Sequence, residues 1–269
     1  MEVNGMHYHV EVLGSGPISV LLLHGFTGCG ENYKDLLEDF PQKDMYTFIL
    51  LDQLGHGKTN VPMDPDRYSM NQTINDLYTI VKKLEITKLS LYGYSMGGRV
   101  ALAFATTYPD LVNKLVLESA SPGLKEEAEQ MTRKQADEKL AKRILEKGVP
   151  KFVDYWTDIP LFQSQKKLPD NIQKKIYHQR LNNSPLGLAN SLRGIGTGAQ
   201  PNYWEALSQL PIPVLLAAGE WDEKFVHIAE EMKNLIRESY FVKIKDAGHA
   251  IHVEQPRKFG KIVSEFLAN

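Results

Sequence analysis

Short apolar runs alternate with longer amphipathic segments along most of this 269-residue chain. The runs have the length and composition of buried strands and occupy residues 18–23, 48–51, 88–92, 114–117, 213–218 and 240–244. Helix-like segments lie between most of them, at residues 71–84, 97–108, 226–236 and 256–267. This alternation predicts an α/β fold in which helices cover both faces of a mostly parallel sheet. The polarity pattern of residues 6–13 suits an antiparallel strand added at the sheet edge.

One long stretch interrupts the alternation. Residues 124–200 contain no convincing strand, and residues 125–147 are dense in charges of both signs with apolar residues at helical spacing. These segments could simply be solvated surface helices. We favour a helical cap over the sheet, because ligands of open α/β sheets bind at the carboxyl ends of the strands. We therefore predict a core formed by residues 1–123 and 201–269, with the cap at residues 124–200.

The strongest local motif is residues 93–98, which read Gly-Tyr-Ser-Met-Gly-Gly and centre on Ser95. The motif follows a strand-like run and precedes a helix-like one, which is typical of a nucleophile elbow. In such an elbow a strained turn holds the serine hydroxyl above the sheet. Glycines flank the serine because side chains there would collide with a neighbouring strand or helix. Ser95 is therefore the candidate catalytic hydroxyl.

A serine hydroxyl needs a base, and the base needs an acid that orients it. In this kind of fold the partners follow the serine in the order acid, then histidine. Asp222 follows one strand-like run and His249 follows the next, so both belong to the same sheet edge as Ser95. Glu220 and Asp246 are rival acids, but Glu220 lies against its strand end and Asp246 is too close to His249 along the chain.

Two backbone N–H groups are expected to form an oxyanion hole. One belongs to Met96, the residue after the serine, at a helix N-terminus where the helix dipole favours negative charge. The other is expected from the loop after residues 18–23, where Phe26 is the predicted donor. The loop at residues 52–57 is expected to shape the site, with His56 in a structural role.

Composition excludes several other classes of function. The formal charge of −2 argues against a nucleic-acid partner. Cys29 is the only cysteine, and the histidines lack the spacing of a zinc motif, so neither a disulfide nor a metal or other cofactor is expected. Residues 1–5 lack the start of a signal peptide, and the apolar runs are too short to span a bilayer. We expect a cytoplasmic protein without a membrane partner; the oligomeric state stays open.

These motifs, in this order, resemble the α/β-hydrolase superfamily over essentially the whole chain. Four stretches also resemble one family in it, the 2-succinyl-6-hydroxy-2,4-cyclohexadiene-1-carboxylate synthases of menaquinone biosynthesis. They read Gly-Tyr-Ser-Met-Gly-Gly-Arg at 93–99, Glu-Ser-Ala-Ser-Pro-Gly-Leu at 118–124, Gly-Thr-Gly-Ala-Gln-Pro at 196–201 and Gly-Glu-Trp-Asp-Glu-Lys-Phe at 219–225. Arg99 and the Ser-Pro-Gly-Leu segment are the most discriminating pieces.

The resemblance implies a lyase that eliminates pyruvate from 2-succinyl-5-enolpyruvyl-6-hydroxy-3-cyclohexene-1-carboxylate. In that family the triad is thought to abstract a ring proton, with the serine as base. For this chain it stays open whether Ser95 removes the proton itself or relays it to His249. The oxyanion donors would stabilise negative charge on the succinyl ketone.

This substrate carries three carboxylates, and arginine matches a carboxylate with a two-bond fork. Arg99 lies one helical turn past Ser95, and Arg133 and Arg180 fall in the predicted cap. These three positions match arginines that the family uses on substrate carboxylates. Pocket residues of the same family match the positions of Tyr94, Trp156 and Phe225.

Two other functions compete with this prediction. A carboxylesterase or C–C bond hydrolase would use the same triad but would prefer an apolar cap. A receptor that kept the fold without catalysis would bind a small molecule without turnover. The three arginines count against the first alternative, and the ordered triad counts against the second.

Overall fold

The computed structural model describes residues 1–268, so Asn269, the last residue of the predicted core segment, lies outside it. The strands are β1 Glu2–Val3, β2 Met6–His7, β3 Val10–Leu13, β4 Ile18–Leu23, β5 Tyr46–Leu51, β6 Leu89–Tyr94, β7 Val112–Glu118, β8 Val214–Gly219 and β9 Ser239–Ile244. The α-helices are α1 Lys34–Glu38, α2 Met70–Lys83, α3 Met96–Thr107, α4 Glu127–Thr157, α5 Asp170–Leu181, α6 Pro185–Ile195, α7 Glu223–Leu235, α8 Ile251–Glu254 and α9 Pro256–Ala268. Short 3₁₀ helices connect several of them.

Seven strands form one sheet in the order β3-β5-β4-β6-β7-β8-β9. Every neighbouring pair is parallel except β3 and β5, which pair antiparallel at the edge. The predicted α/β-hydrolase architecture, with a mostly parallel sheet flanked by helices, is therefore confirmed. All six predicted strands are present with bounds shifted by at most two residues at either end.

The single edge strand predicted over residues 6–13 is wrong in its extent. β2 pairs with β1 in a separate hairpin, and only β3 joins the large sheet. The chain between them bonds to a neighbouring loop, because the His9 N–H donates to Thr59 Oγ1 and the His9 carbonyl accepts from the Asp52 N–H. Tyr8 is buried there, and its hydroxyl donates to Asp76.

Alternate residues of the central strands pack to opposite faces of the sheet. Leu21 and Leu23 of β4 belong to an apolar cluster with α2, α3 and α7, whereas Val20 and Leu22 belong to a second cluster with α1 and α9. This alternation follows from the twofold period of a strand and buries the sheet on both sides. Both faces are therefore closed, and only the strand ends are left to carry a site.

Helices fill the chain between β7 and β8, and residues 119–213, all described by the structure, contain no strand. α4 continues past the predicted helix at 125–147 to Thr157, with a kink where Gly148 adopts φ 76° just before Pro150. The two halves of α4 pack on α6 through a third apolar cluster that includes Ile144, Phe152 and Leu188. Phe26 and Trp156 pack against this cluster, so it meets the sheet at the loop after β4. None of the helices within residues 1–268 is both long and apolar enough to cross a membrane.

Candidate active site

Ser95 occupies a strained turn between β6 and α3. Its backbone angles are φ 51° and ψ −109°, a positive-φ conformation that residues other than glycine rarely adopt. A Cβ on Gly97 would lie 1.9 Å from the Leu23 carbonyl oxygen of β4, and one on Gly93 would lie 2.4 Å from the Gly97 carbonyl oxygen. The expected collisions around the elbow are thus confirmed, and they explain why glycines stand on both sides of the serine.

A chain of two hydrogen bonds connects the serine to a carboxylate. His249 Nε2 lies 2.9 Å from Ser95 Oγ, and His249 Nδ1 lies 2.6 Å from Asp222 Oδ2. Asp222 can only accept, so Nδ1 carries the proton and Nε2 is free to accept the serine proton. His249 and Asp222 are both buried. This is the geometry of a serine activated by a general base.

The Glu220 carboxylate bonds away from His249, and Asp246 contributes backbone groups to the hydrogen bonds of this loop. Glu220 accepts a hydrogen bond from the Asp246 backbone N–H at 3.3 Å, and the carbonyl of Asp246 accepts from the Gln255 side chain. Among the three acids considered from the sequence, Asp222 is the one that is hydrogen-bonded to His249.

Aromatic rings enclose the imidazole of His249. The ring centroid of Phe225 lies 4.7 Å from it, that of Tyr94 lies 5.4 Å away and that of Phe162 lies 6.0 Å away. Such a shell excludes water and strengthens electrostatic interactions within the site. Two of the three rings, Tyr94 and Phe225, are residues predicted from the sequence.

A cavity of about 460 Å³ opens on Ser95 and His249. Six of the predicted residues line it besides this pair, namely Phe26, Met96, Arg99, Arg133, Trp156 and Phe225. Phe26 and Met96 thus stand on its wall where the oxyanion donors are expected. The indole N–H of Trp156 is buried and has no acceptor among residues 1–268, so it can donate to a ligand oxygen.

Arg99 supplies a buried positive charge to this cavity. Its Nη1 donates to the Ile195 carbonyl at 2.5 Å and to Gln200 Oε1 at 3.4 Å. Burial, with a smaller contribution from the nearby charge of Arg133, lowers the pKa of Arg99 to about 10. Arg99 therefore stays charged at neutral pH, and an anion in the cavity would relieve its repulsion with Arg133.

Arg133 is half-buried and reaches the same cavity from α4. Its Nε donates to Asp137 Oδ1 at 2.8 Å, one helical turn further along. Asp137 is buried and also accepts from the Gly198 N–H at 3.1 Å, so it holds the Nε side of the Arg133 guanidinium in place. The two guanidinium groups thus come from two different parts of the fold, α3 and α4.

The structure does not bring Arg180 to the main cavity. Its guanidinium lies over the Phe162 ring, 4.5 Å from the ring centroid, and Nη2 donates to Gln165 Oε1 at 3.1 Å. Burial lowers its pKa to about 10. Arg180 and Tyr94 instead line a separate cavity of about 50 Å³. The Tyr94 ring therefore lies against His249, but Tyr94 and Arg180 line the small cavity and not the cavity of about 460 Å³.

Sequence reasoning missed Ser119 and Ser121, which line the large cavity directly after β7. Ser119 has φ 48° and a buried hydroxyl that finds no hydrogen-bond partner in the part of the chain that the structure describes. The usable signal was position, because residues just past the end of a parallel strand belong to the edge that carries the site. Glu118, the last residue of β7, was missed as well; it accepts from His252 Nδ1 at 2.9 Å and from Tyr92.

His24 and His56 lie in the loops that follow β4 and β5, and both are buried. His24 Nε2 accepts from the Gln53 N–H at 3.0 Å, and His56 Nδ1 lies 3.1 Å from the Leu54 carbonyl. Burial lowers the pKa of His24 to about 4, and burial together with the charge of His24 lowers the pKa of His56 to about 3. Both are neutral near pH 7 and hold loops, which agrees with the structural role expected for His56. Within residues 1–268 no group of three or more His, Cys, Asp or Glu side chains is placed to hold a metal ion.

Comparison with known proteins connects this site to a family. Residues 18–256 match the family described as alpha/beta hydrolase fold. The chain is 46% identical to a Bacillus subtilis protein assigned by name to the 2-succinyl-6-hydroxy-2,4-cyclohexadiene-1-carboxylate synthases, over 99% of this chain and 96% of that protein.

Two solved structures are also similar. MenH from S. aureus superposes with a TM-score of 0.92 and 40% identity, covering 97% of this chain and 98% of that one. A thermophilic esterase from Thermogutta terrifontis superposes with a TM-score of 0.87 and 28% identity, covering 98% and 93%. Synthases and an esterase thus share this architecture, so the fold alone does not decide the reaction.

Proposed function

The chain belongs to the α/β-hydrolase fold family and, within it, to the 2-succinyl-6-hydroxy-2,4-cyclohexadiene-1-carboxylate synthases, and we propose that Ser95, His249 and Asp222 perform its reaction. The enzyme is a lyase of menaquinone biosynthesis that eliminates pyruvate from 2-succinyl-5-enolpyruvyl-6-hydroxy-3-cyclohexene-1-carboxylate. The observation that carries the assignment is one cavity in which the hydrogen-bonded serine meets two arginines from separate segments.

The hydrogen-bond chain supports proton abstraction by the serine oxygen. His249 Nε2 takes the Ser95 hydroxyl proton while the oxygen removes a proton from the ring, and Asp222 stabilises the resulting imidazolium. The electron pair of the broken C–H bond enters the new diene, and the C–O bond to the enolpyruvyl group breaks with its electron pair on that oxygen. The enolate of pyruvate that leaves takes up one proton to become pyruvate, which balances the proton released when His249 returns to its neutral form. Backbone N–H groups of Phe26 and Met96 would stabilise negative charge on the succinyl ketone in the transition state.

Charge on the cavity wall supports recognition of an anionic substrate. Arg99 and Arg133 offer guanidinium groups to carboxylates, and burial of Arg99 makes such a contact stronger than it would be in water. Trp156 can add a donor, while the rings of Tyr94 and Phe225 surround the base. Arg180 as a third carboxylate ligand stays a prediction from the resemblance, since here it contacts Phe162 and Gln165.

Ester hydrolysis is the reaction to distinguish, because the same serine could attack a carbonyl. The purified protein should convert the enolpyruvyl substrate with release of one pyruvate and appearance of diene absorbance. Simple p-nitrophenyl esters should turn over slowly, and mass spectrometry after quenching should find Ser95 unmodified. A substrate fragment trapped on Ser95, or rapid ester hydrolysis without pyruvate release, would contradict the elimination and favour the hydrolase.

A small tricarboxylate is thus the partner that the site supports. A cytoplasmic location, and the lack of nucleic-acid and membrane partners, stay predictions from the sequence. Fractionation of cells that express the protein tests the location directly.

A further inference from the structure

One side chain outside the triad holds the backbone on both sides of His249. Glu254, the last residue of α8, accepts at Oε2 from the Gly248 N–H at 2.7 Å and at Oε1 from the Ala250 N–H at 3.3 Å. These N–H groups belong to the residues immediately before and after the histidine. The position of the imidazole therefore depends on a carboxylate that does not itself touch Ser95 or Asp222 in any recorded hydrogen bond.

The helices between β7 and β8, residues 119–213 and here called the helical insertion, reach the same carboxylate. Ser164 Oγ donates to Glu254 Oε1 at 3.0 Å from the 3₁₀ helix Pro160–Lys167, and Phe162 of that helix contacts the His249 ring. The approach is close, because a Cβ built on Gly248 would lie 2.1 Å from Ser164 Oγ. The insertion thus contacts the histidine loop through one apolar ring and one charge-assisted hydrogen bond.

Burial makes these hydrogen bonds necessary. Glu254 is only 9% exposed, and burial raises the pKa of its carboxyl against the opposing effect of the three donors. Loss of one donor leaves a buried acceptor less satisfied, and loss of the carboxylate leaves two peptide N–H groups without their acceptor. Movement of Ser164 would therefore disturb the same carboxylate that holds Gly248 and Ala250.

We propose that Glu254 is a positioning residue that couples the seating of the helical insertion, through Ser164, to the placement of His249 against Ser95. This inference rests on the proposed function in one respect, namely the reaction in which His249 acts as the base. When Ser164 donates to Glu254, both flanking peptides are held and Nε2 stays within hydrogen-bond distance of Ser95. Without the Ser164 hydroxyl, the carboxylate would lose its third donor and the loop would be less constrained.

The test compares Glu254→Gln and Ser164→Ala with the matched variants Glu230→Gln and Ser208→Ala, whose side chains are exposed on α7 and on the 3₁₀ helix Glu205–Gln209. Glutamine has nearly the shape of glutamate, but its amide nitrogen would face a peptide N–H. We expect Glu254→Gln to lower kcat about 10- to 100-fold with KM within about threefold of wild type, as for a misplaced base. Ser164→Ala should lower kcat about 2- to 10-fold, and the matched variants should not change it.

A second readout needs no natural substrate. Diisopropyl fluorophosphate labels a serine that a histidine activates, so its labelling rate on Ser95 should fall in the same order as kcat. The double variant Ser164→Ala/Glu254→Gln should be no slower than Glu254→Gln alone, because both changes act through one carboxylate.

Three results would overturn the inference. They are additive losses in the double variant, wild-type labelling rates in Glu254→Gln, and a lowered Tm with unchanged kcat per folded molecule. If wild-type protein released no pyruvate, the proposed reaction would fail, and the labelling rates would still decide the role of Glu254.

Discussion

The two ends of the cavity are held in different ways. At the proton-transfer end, Ser95, Asp222 and His249 follow the strands β6, β8 and β9 at one edge of the sheet, and hydrogen bonds of 2.9 and 2.6 Å join them. At the cationic end, Arg99 comes from α3 and Arg133 comes from the inserted helix α4, and each is held by other protein groups. One end is assembled by the sheet and the other by the docking of the insertion on it.

This difference indicates a division of work. The sheet holds the reacting groups in place through its own geometry, which lowers the entropic cost of assembling them during the reaction. The positive charges of Arg99 and Arg133 repel each other, and an anion between them would relieve this repulsion. We therefore expect the two arginines to contribute to the free energy of substrate binding. Changes at the first end should lower kcat, whereas changes at the second should act mainly on kcat/KM through KM.

Loss of a triad group should have the largest effect. Ser95→Ala and His249→Ala should each lower kcat by roughly 10²- to 10⁴-fold, the usual scale for a positioned acid or base. The double variant should be scarcely worse than either single one, because the groups act as a unit. Steady-state release of pyruvate measures both effects, and near-normal elimination by Ser95→Ala would remove the serine from the mechanism.

The arginines should come next. A charge-assisted contact is worth about 1.5–3 kcal/mol, so Arg99→Ala and Arg133→Ala should each lower kcat/KM by roughly 10- to 150-fold. Lysine should recover only part of the loss, because the charge remains but the two-bond fork does not. Initial rates over a range of substrate concentrations separate KM from kcat.

Exposed charges on α4 provide the matched controls for the arginines. Lys134→Ala and Arg143→Ala should change kcat/KM little. If Arg133→Ala were no worse than Lys134→Ala, the cationic end would have no role in binding. A thermal melt of Arg99→Ala is needed beside the kinetics, since that change also leaves the Ile195 carbonyl without its donor.

Acid should weaken the loops at the proton-transfer end. The pKa values of His24 and His56 fall from 6.5 to about 4 and about 3 on folding, so below pH 6.5 the unfolded chain binds more protons than the folded one. Stability is therefore complete above pH 6.5 and is lost as pH falls toward 4, by about 1.4 kcal/mol per pH unit for each histidine. Urea unfolding at pH 7 and pH 5 measures this loss.

A histidine variant isolates that contribution from the carboxylates. His56→Gln should reduce the loss of stability between pH 7 and pH 5, while His178→Gln, on the exposed side of α5, should leave it unchanged. An identical pH dependence in wild type and His56→Gln would show that His56 does not resist protonation in the folded state.

The structure predicts the smallest effect for Arg180, whereas the resemblance predicts a carboxylate contact, so this residue tests the comparison most directly. It lies over Phe162 and outside the large cavity, so Arg180→Ala should lower kcat/KM only about 2- to 5-fold, the scale of a lost cation–π contact. Measurement of KM beside kcat decides the matter. A rise in KM as large as that of Arg133→Ala would mean that the insertion rearranges around substrate and brings Arg180 into the cavity.

Local patterns in the sequence predict much of the site. Ser95 can be predicted because the glycines around it are required by a tight strand-to-helix turn. Asp222 and His249 can be predicted because each follows a later strand of the sheet, in the order acid, then histidine. These inferences succeed because the sheet imposes them, since every parallel strand delivers its following loop to one edge. The choice of Asp222 over Glu220 and Asp246 agrees with the hydrogen bond to His249 for the same reason.

Contacts between distant segments were not readable in this way. The resemblance gives Arg99, Arg133 and Arg180 the same role toward substrate carboxylates. Only the docking of α4, α5 and the 3₁₀ helix Pro160–Lys167 decides that the first two line the cavity and that Arg180 packs on Phe162. The contacts of Glu118 and Glu254 could not be predicted from the sequence, because their hydrogen-bond partners lie on other elements or depend on a loop fold. The sequence alone determined the sheet, the elbow and the order of the reacting groups, through periodicity and steric limits that act over a few residues. The tertiary structure decided which charges meet and what holds His249, because burial and hydrogen bonding between distant segments exist only once the chain has packed.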